Sequence, residues 1–252
     1  MAHQTLDGRT AVVTGAASGI GEAVARQLVA DGARVALLAR RKDRLERLAA
    51  ELGPNALAVP ADVTDQASVD AARQLTHAAF GRVDLVVNAA GVMLPNPVDD
   101  GRIDEWTRMI DTNLTGVLRV VGAFGPDLVA AAAAGATADL VNVSSIGAHV
   151  VFPNYAVYGA TKAAVTQLSA ALRSEYGPRD VRVTAVEPGL TDTELGSHID
   201  NPALGPDGQL GAMFAAIGAL SPADVADLVG YVVGRPRHVN LRHVVVLPTR
   251  QA

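Results

Sequence analysis

Short, almost wholly apolar runs alternate along the chain with longer stretches in which apolar residues recur every three or four positions, the signature of strand followed by helix. Residues 10–14 form the first such run and end in glycines, and residues 19–31 carry helical spacing that closes at Gly32. The alternation repeats with predicted strands over 35–39, 56–60 and 83–88 and helices over 44–52 and 65–80. A long helical region follows over 104–134, then a strand over 138–144, a helix over 155–176, a strand over 181–187 and a last strand over 244–247. Strands that are apolar on both faces suit a parallel sheet covered by helices on both sides, joined by right-handed crossovers. The pattern therefore predicts one α/β domain, doubly wound, over residues 1–252. The alanine run at 130–134 reads as a helix end, alanine being the best helix former. Only 190–221 breaks the rhythm, with glycines and prolines and no clean period, and it is expected to form a flap over a site.

Composition narrows the chemistry. The 252 residues are 49% hydrophobic, which is globular, and no uninterrupted apolar run reaches the roughly 18 residues of a membrane span. The polar first nine residues lack the layout of a signal peptide, so a soluble cytoplasmic protein is expected. With no cysteine and no His-x-x-x-His pair among six histidines, no metal site is expected. His149, His198, His238 and His243 receive no role. A net charge of −5 argues against a nucleic-acid groove, although residues 40–47 are locally basic.

The turn Thr14-Gly15-Ala16-Ala17-Ser18-Gly19-Ile20-Gly21 lies between the first strand and helix, where backbone amides and the helix dipole can face a pyrophosphate. A tight turn without a ligand is the plainer reading of the glycines alone. About 20 residues on, a carboxylate would ordinarily bind the adenosine ribose. Ala39 stands there, followed by Arg40 and Arg41, whose guanidinium groups can clamp a 2′-phosphate, so NADP(H) is favoured over NAD(H). The competing reading makes these arginines a solvated helix start with Lys42 and Arg44. Asp62, next to Val63, is placed to accept from the adenine amino group or to cap the following helix. In Asn88-Ala89-Ala90-Gly91, small side chains let the adenosine half approach the backbone.

The reacting groups sit further on. Tyr158 and Lys162 are four residues apart on one helix face, so the ammonium can act on the phenol. At about 4 Å and an effective dielectric near 20 the pair is worth roughly 4 kcal/mol, or about three pKa units toward phenolate before desolvation opposes it. Ser145, with Ser144 as the competing candidate, could bond a substrate oxygen while Tyr158 supplies the proton. Asn113 could hold a water through an exposed carbonyl or amide and link Lys162 to solvent, although a mid-helix asparagine usually serves the structure only. Met93, Leu94, Val151, Tyr155, Leu190, Leu195, Met213 and Phe214 could make an apolar pocket or serve as core or subunit contacts, and Glu194 could attract an amine, although an exposed glutamate on a flap is the favoured reading.

These residues, in this order, resemble the short-chain dehydrogenase/reductase family, in the branch marked by Thr-Gly-x-x-x-Gly-x-Gly, Asn-x-Ala-Gly and Tyr-x-x-x-Lys. Within it, the segment Glu187-Pro188-Gly189-Leu190-Thr191-Asp192-Thr193-Glu194-Leu195 is similar to that of bacterial NADP-dependent members such as clavulanate-pathway aldehyde reductases and 3-hydroxy acid dehydrogenases. The resemblance implies a single Rossmann-like domain, a catalytic tetrad of Asn113, Ser145, Tyr158 and Lys162, and Pro188, Gly189, Thr191 and Thr193 near the nicotinamide. It selects Ser145 because the family's serine stands thirteen residues before its tyrosine. Ala89 and Glu187 depart from the family, which often has asparagine at both places. Family members pair their long helices into dimers and tetramers, so a homotetramer is expected, with 116–134 at an interface. The expected activity is NADPH-dependent reduction of a ketone or aldehyde to an alcohol, reversible as alcohol oxidation. A 3-oxoacyl thioester reductase and a non-catalytic NADPH-binding sensor or structural subunit are the alternatives.

Overall fold

The computed structural model describes residues 5–251. Seven parallel strands form one sheet in the order β3-β2-β1-β4-β5-β6-β7. They are β1 (Thr10–Thr14), β2 (Arg34–Ala39), β3 (Ala56–Pro60), β4 (Leu85–Asn88), β5 (Ala138–Val143), β6 (Val181–Pro188) and β7 (His243–Val246). The helices are α1 (Gly19–Ala30), α2 (Lys42–Leu52), α3 (Gln66–Phe80), α4 (Ile103–Ile110), α5 (Gly116–Ala133), α6 (Ala156–Tyr176), α7 (Gln209–Ile217) and α8 (Pro222–Val233). The expected doubly wound arrangement is present. Successive strand residues face opposite sides: Val12, Val86, Leu140 and Val183 pack with Val120, Phe124 and Val165 of α5 and α6, whereas Val13, Val87, Val141 and Val186 pack with Val24, Leu28, Val225 and Val229 of α1 and α8.

Strand order reverses between β1 and β4, which opens a crevice beyond the C-terminal ends of these strands. Everything of chemical interest gathers at that end. The opposite end is closed by a buried ion cluster in which Asp139 accepts from Arg9 at 2.8 Å and from Arg182 at 2.7 and 2.8 Å, while Arg9 also reaches Asp84 at 2.7 Å.

The structure differs from the sequence pattern in four respects. The region expected as one helix over 104–134 is α4 and α5 joined by a π turn at Asp111–Thr115, where the Gly116 amide bonds back five residues to the Asp111 carbonyl. The combined stretch Ile103–Ala133 is long and apolar enough to cross a bilayer by length and composition, despite the absence of an unbroken apolar run, but 56% of its apolar window is buried within the fold. The third difference is in 190–221, which contains a helix. Its ends are tied by the bridge Thr191↔Leu220 and by Leu220 N–H to Leu190 O at 2.9 Å, and between them a 3-10 turn (Glu194–His198) precedes α7. Gly211 within α7, with Gly208 and Gly218 at its ends, masked its period. Helix α8, also absent from the sequence pattern, starts with a capping box between Ser221 and Asp224 and with Pro222 in its first turn.

Candidate active site

Two connected cavities occupy the crevice. One, of about 240 Å³, runs over the turn after β1 and is lined by Gly15, Ser18, Gly19, Ile20 and Gly21, then by Arg40, Arg41, Asp62, Val63, Ala90 and Gly91. The other, of about 350 Å³, holds Ser145, Tyr158 and Lys162 with Pro188, Gly189 and Thr191. Ile20, Gly91 and Thr193 line both. The fold thus brings the expected residues of both ends into one channel, with three exceptions, Asn88, Leu94 and Asn113.

The turn's glycines are dictated by space. Gly15 has φ +71°, and a Cβ there would lie 2.8 Å from the Ala89 carbonyl oxygen; a Cβ on Gly21 would fall on the Gly15 carbonyl. The chain therefore folds back tightly enough to aim the first amides of α1 into the cavity. No side chain caps this helix, because the Ser18 hydroxyl is turned to Arg41 instead. An uncapped helix N-terminus in a glycine cradle fits a pyrophosphate.

At the far end of this cavity Arg41 and Arg44 both grip Glu194, at 2.8 Å and at 2.7 and 2.8 Å. Their hydrogen bonds hold the Glu194 carboxyl below its ordinary range. Glu194 faces the arginines and lines the 240 Å³ cavity rather than the one holding Tyr158, which corrects the expectation that it meets an amine there. Asp62 does not cap α3. Asp65 does so, accepting from Ala67 N–H at 3.0 Å, while Asp62 accepts from the Thr64 amide and hydroxyl at 2.9 and 2.7 Å. Burial raises the Asp62 carboxyl, but those two bonds with the Arg40 and Arg119 charges outweigh it and leave the group below its usual value. Asn88 lines neither cavity: it is buried in the sheet and donates to Asn142 at 2.9 Å, which in turn donates to Ser169. The adjoining backbone of Ala89, Ala90 and Gly91 is what faces the crevice.

The two serines part company at the end of β5. Ser144 turns to α6, bonding Lys162 O and the Thr166 hydroxyl, each at 2.8 Å. Ser145 caps a 3-10 turn by accepting from Gly147 N–H at 3.0 Å, and its hydroxyl reaches the Tyr158 phenol. Asn113, 1% exposed in the π turn, offers no free amide to a water. Its Oδ1 accepts from Val92 N–H at 2.8 Å, and its Nδ2 donates to Val92 O at 2.9 Å and to the Thr161 hydroxyl at 3.1 Å. Its side chain locks the segment after β4 to α6.

Lys162 Nζ donates to Val143 O at 3.0 Å and lies 5.8 Å from the Tyr158 ring centroid. The two groups share a pocket, but the expected electrostatic tuning of the phenol is not what the protein chain produces. Burial pushes Tyr158 up to about 12, against a smaller lowering by the Ser145 hydrogen bond, and burial draws Lys162 down to about 8. Desolvation prevails because both groups are deeply enclosed and the ammonium is directed at a backbone carbonyl. The pocket wall is apolar: Met93, Val151, Tyr155, Leu190, Leu195, Met213 and Phe214 line it, whereas Leu94 packs behind them.

Two histidines without a role in the sequence analysis converge here. His149, at the edge of the larger cavity, and His243, which opens β7, each place Nε2 at 2.7 Å from Glu187 Oε2. Positions 149, 187 and 243 are too far apart in the chain for any spacing motif to reveal them.

A model of the short-chain dehydrogenases matches residues 9–203. The chain belongs to this family. It is 36% identical over 244 residues to an uncharacterised oxidoreductase of Staphylococcus aureus, covering 96% of this chain and 98% of the relative. Among solved structures it is similar to a 3-ketoacyl-(acyl-carrier-protein) reductase from Brucella melitensis complexed with NADH, at 31% identity and a TM-score of 0.88, covering 98% of this chain and 100% of that one. It is similar also to the closed form of a serine dehydrogenase complexed with NADP+, at 33% identity and a TM-score of 0.89, covering 96% of each. The short-chain dehydrogenase described here is accordingly an oxidoreductase with a Rossmann-like fold.

Proposed function

We propose that this short-chain dehydrogenase reduces a medium-sized, partly apolar ketone or aldehyde with NADPH, and oxidises the corresponding alcohol in reverse. The observation that carries the reading is the placement of Ser145, Tyr158 and Lys162 on one apolar cavity that opens into the glycine-lined one. A reduced nicotinamide bound there would supply the hydride to the carbonyl carbon. Ser145 holds the carbonyl oxygen by a hydrogen bond, and Tyr158, kept protonated by burial, gives that oxygen its proton as the carbon is reduced, so the product is a neutral alcohol. Lys162 then lies beside the phenolate as its counter-charge and within reach of a ribose, with Asn113 positioning the loop around them. The wall of Leu190, Leu195, Met213 and Phe214 keeps water from the reacting carbon.

Arg40 and Arg41, where a ribose-binding carboxylate would otherwise stand, support NADP(H), as does the NADP+ of the similar serine dehydrogenase. The amides of Gly19, Ile20 and Gly21 suit the pyrophosphate, Asp62 and Val63 the adenine, and Pro188, Gly189, Thr191 and Thr193 the nicotinamide end. The likeness to a 3-ketoacyl-(acyl-carrier-protein) reductase raises acyl thioesters as a second substrate class, but among the described residues Lys162 is the one lysine or arginine on the wall of the larger cavity, which does not favour an acidic carrier. Residues 190–221 act as the flap over the site within a single domain. The chain works in the cytoplasm as a homotetramer, with a dimer as its half-assembly. Exposed Ile103, Ile110 and Leu118 on α4 and α5 support that assembly.

The test is nicotinamide oxidation over ketones, aldehydes, hydroxy-acid precursors and acyl thioesters, with NADPH and NADH in parallel. Tyr158→Phe should lower turnover by at least about 100-fold, the lower end for a proton-transfer group, while NADPH affinity stays within about threefold. Equal efficiency with both cofactors would remove the role given to Arg40 and Arg41, and retained turnover in the variant would remove that of Tyr158.

A further inference from the structure

At the C-terminal edge of the sheet, beside the larger cavity, Glu187 of β6 is fully buried and points one carboxylate oxygen between two imidazoles. Its Oε1 is occupied by the Thr166 hydroxyl, which fixes the carboxylate in place. Its Oε2 has no hydrogen-bond partner, although His149 Nε2 and His243 Nε2 are both at 2.7 Å. Neither ring nitrogen meets hydrogen-bonding geometry toward that oxygen. The rings are tilted 39° to each other with centroids 5.4 Å apart, and the three donor atoms lie within 4.8 Å of one another.

Three donor atoms gathered this closely, with the buried carboxylate oxygen left without a hydrogen-bond partner, match the donor set of a single ion. With bonds of about 2.1 Å, donors around a tetrahedral ion stand roughly 3.4 Å apart, so small shifts of two partly exposed imidazoles suffice. We propose that His149, Glu187 and His243 form a divalent transition-metal site, with zinc the best match to two imidazoles and one carboxylate and with solvent completing the shell on the exposed side. Calcium and magnesium, which prefer all-oxygen shells, do not suit it.

The site's position gives the ion a structural role. His149 directly follows the 3-10 turn that Ser145 caps, so metal binding ties that turn to β6 and β7. The outer shell runs inward from Glu187 to Thr166, from Thr166 to Ser144, and from Ser144 to the Lys162 carbonyl. Outer-shell partners of this kind orient metal ligands, and here they lead through Thr166 and Ser144 to the helix that carries Tyr158 and Lys162.

The experiment uses the full chain without an affinity tag, stripped with EDTA. Zinc chloride is titrated by calorimetry, and cobalt(II) chloride is followed by its visible absorption. The expected result is one saturable equivalent with the intense visible bands of four-coordinate cobalt. His149→Ala and His243→Ala, on separate segments, should each weaken zinc binding at least about 100-fold, the upper end of what even outer-shell changes cost, and abolish the cobalt bands. Loss in both variants supports the site. Absence of saturable binding in the parent, or parental affinity in either variant, overturns it. These binding readouts do not depend on which substrate or cofactor the enzyme uses.

Discussion

At the level of single residues, burial sets the chemistry of the reacting pair. Lys162 titrates near 8 in the folded chain against an ordinary 10.5, so between these values the unfolded chain binds more protons and stability rises with pH. Below pH 8 the full cost of a buried ammonium is present, on the order of 3 kcal/mol at about 1.4 kcal/mol per unit. Lys162→Met should therefore be more stable than the parent at pH 7, and the gap should shrink as pH rises from 8 to 10, as measured by urea unfolding. Tyr158 acts in the opposite sense. Its pKa rises from 10.0 to about 12, so its contribution is complete below pH 10 and is lost as pH climbs from 10 to 12. Glu194 is the other residue whose role came from the fold. Its carboxylate occupies Arg41, one of the two guanidinium groups proposed for a 2′-phosphate, together with Arg44. Exposed pairs are weak, so Glu194→Gln should tighten NADPH only about two- to fivefold and leave NADH unchanged, as read by fluorescence titration.

At the level of elements, hydrophobic periodicity located all seven strands and the first five helical stretches, because each buries a face whose spacing is written in the chain. The π turn escaped it. One extra residue per turn changes neither composition nor the apolar stripe, yet it sets the register of Asn113. Helix α7 escaped because it is short and glycines at its two ends and at position 211 dilute its pattern. The sheet's other end carries an element-level prediction of its own. Asp139 on β5 joins Arg9 and Arg182, and Asp139→Asn would leave the buried Arg182 guanidinium without its counter-charge while Arg9 keeps Asp84. That substitution should cost about 3–5 kcal/mol in equilibrium unfolding, with little effect on cofactor affinity, because the cluster is remote from the crevice.

For the whole molecule, the apolar side chains left outside on α4 and α5 bear on assembly. Leu118→Lys places a charge on that face and should shift the proposed tetramer toward smaller species in light scattering, while the monomer's melting temperature changes little. The sequence by itself determined the layers of the fold, the glycine turn and the serine, tyrosine and lysine proposed as the reacting groups. Strand and helix follow from local periodicity, and the chemical motifs are contiguous or four to thirteen residues apart. Tertiary structure alone decided that Glu194 meets Arg41 and Arg44, that Asn88 turns into the sheet, and that Glu187 gathers His149 and His243. These contacts join segments brought together by strand order and loop closure. The desolvation that sets Tyr158 and Lys162 exists only once those segments have closed over them.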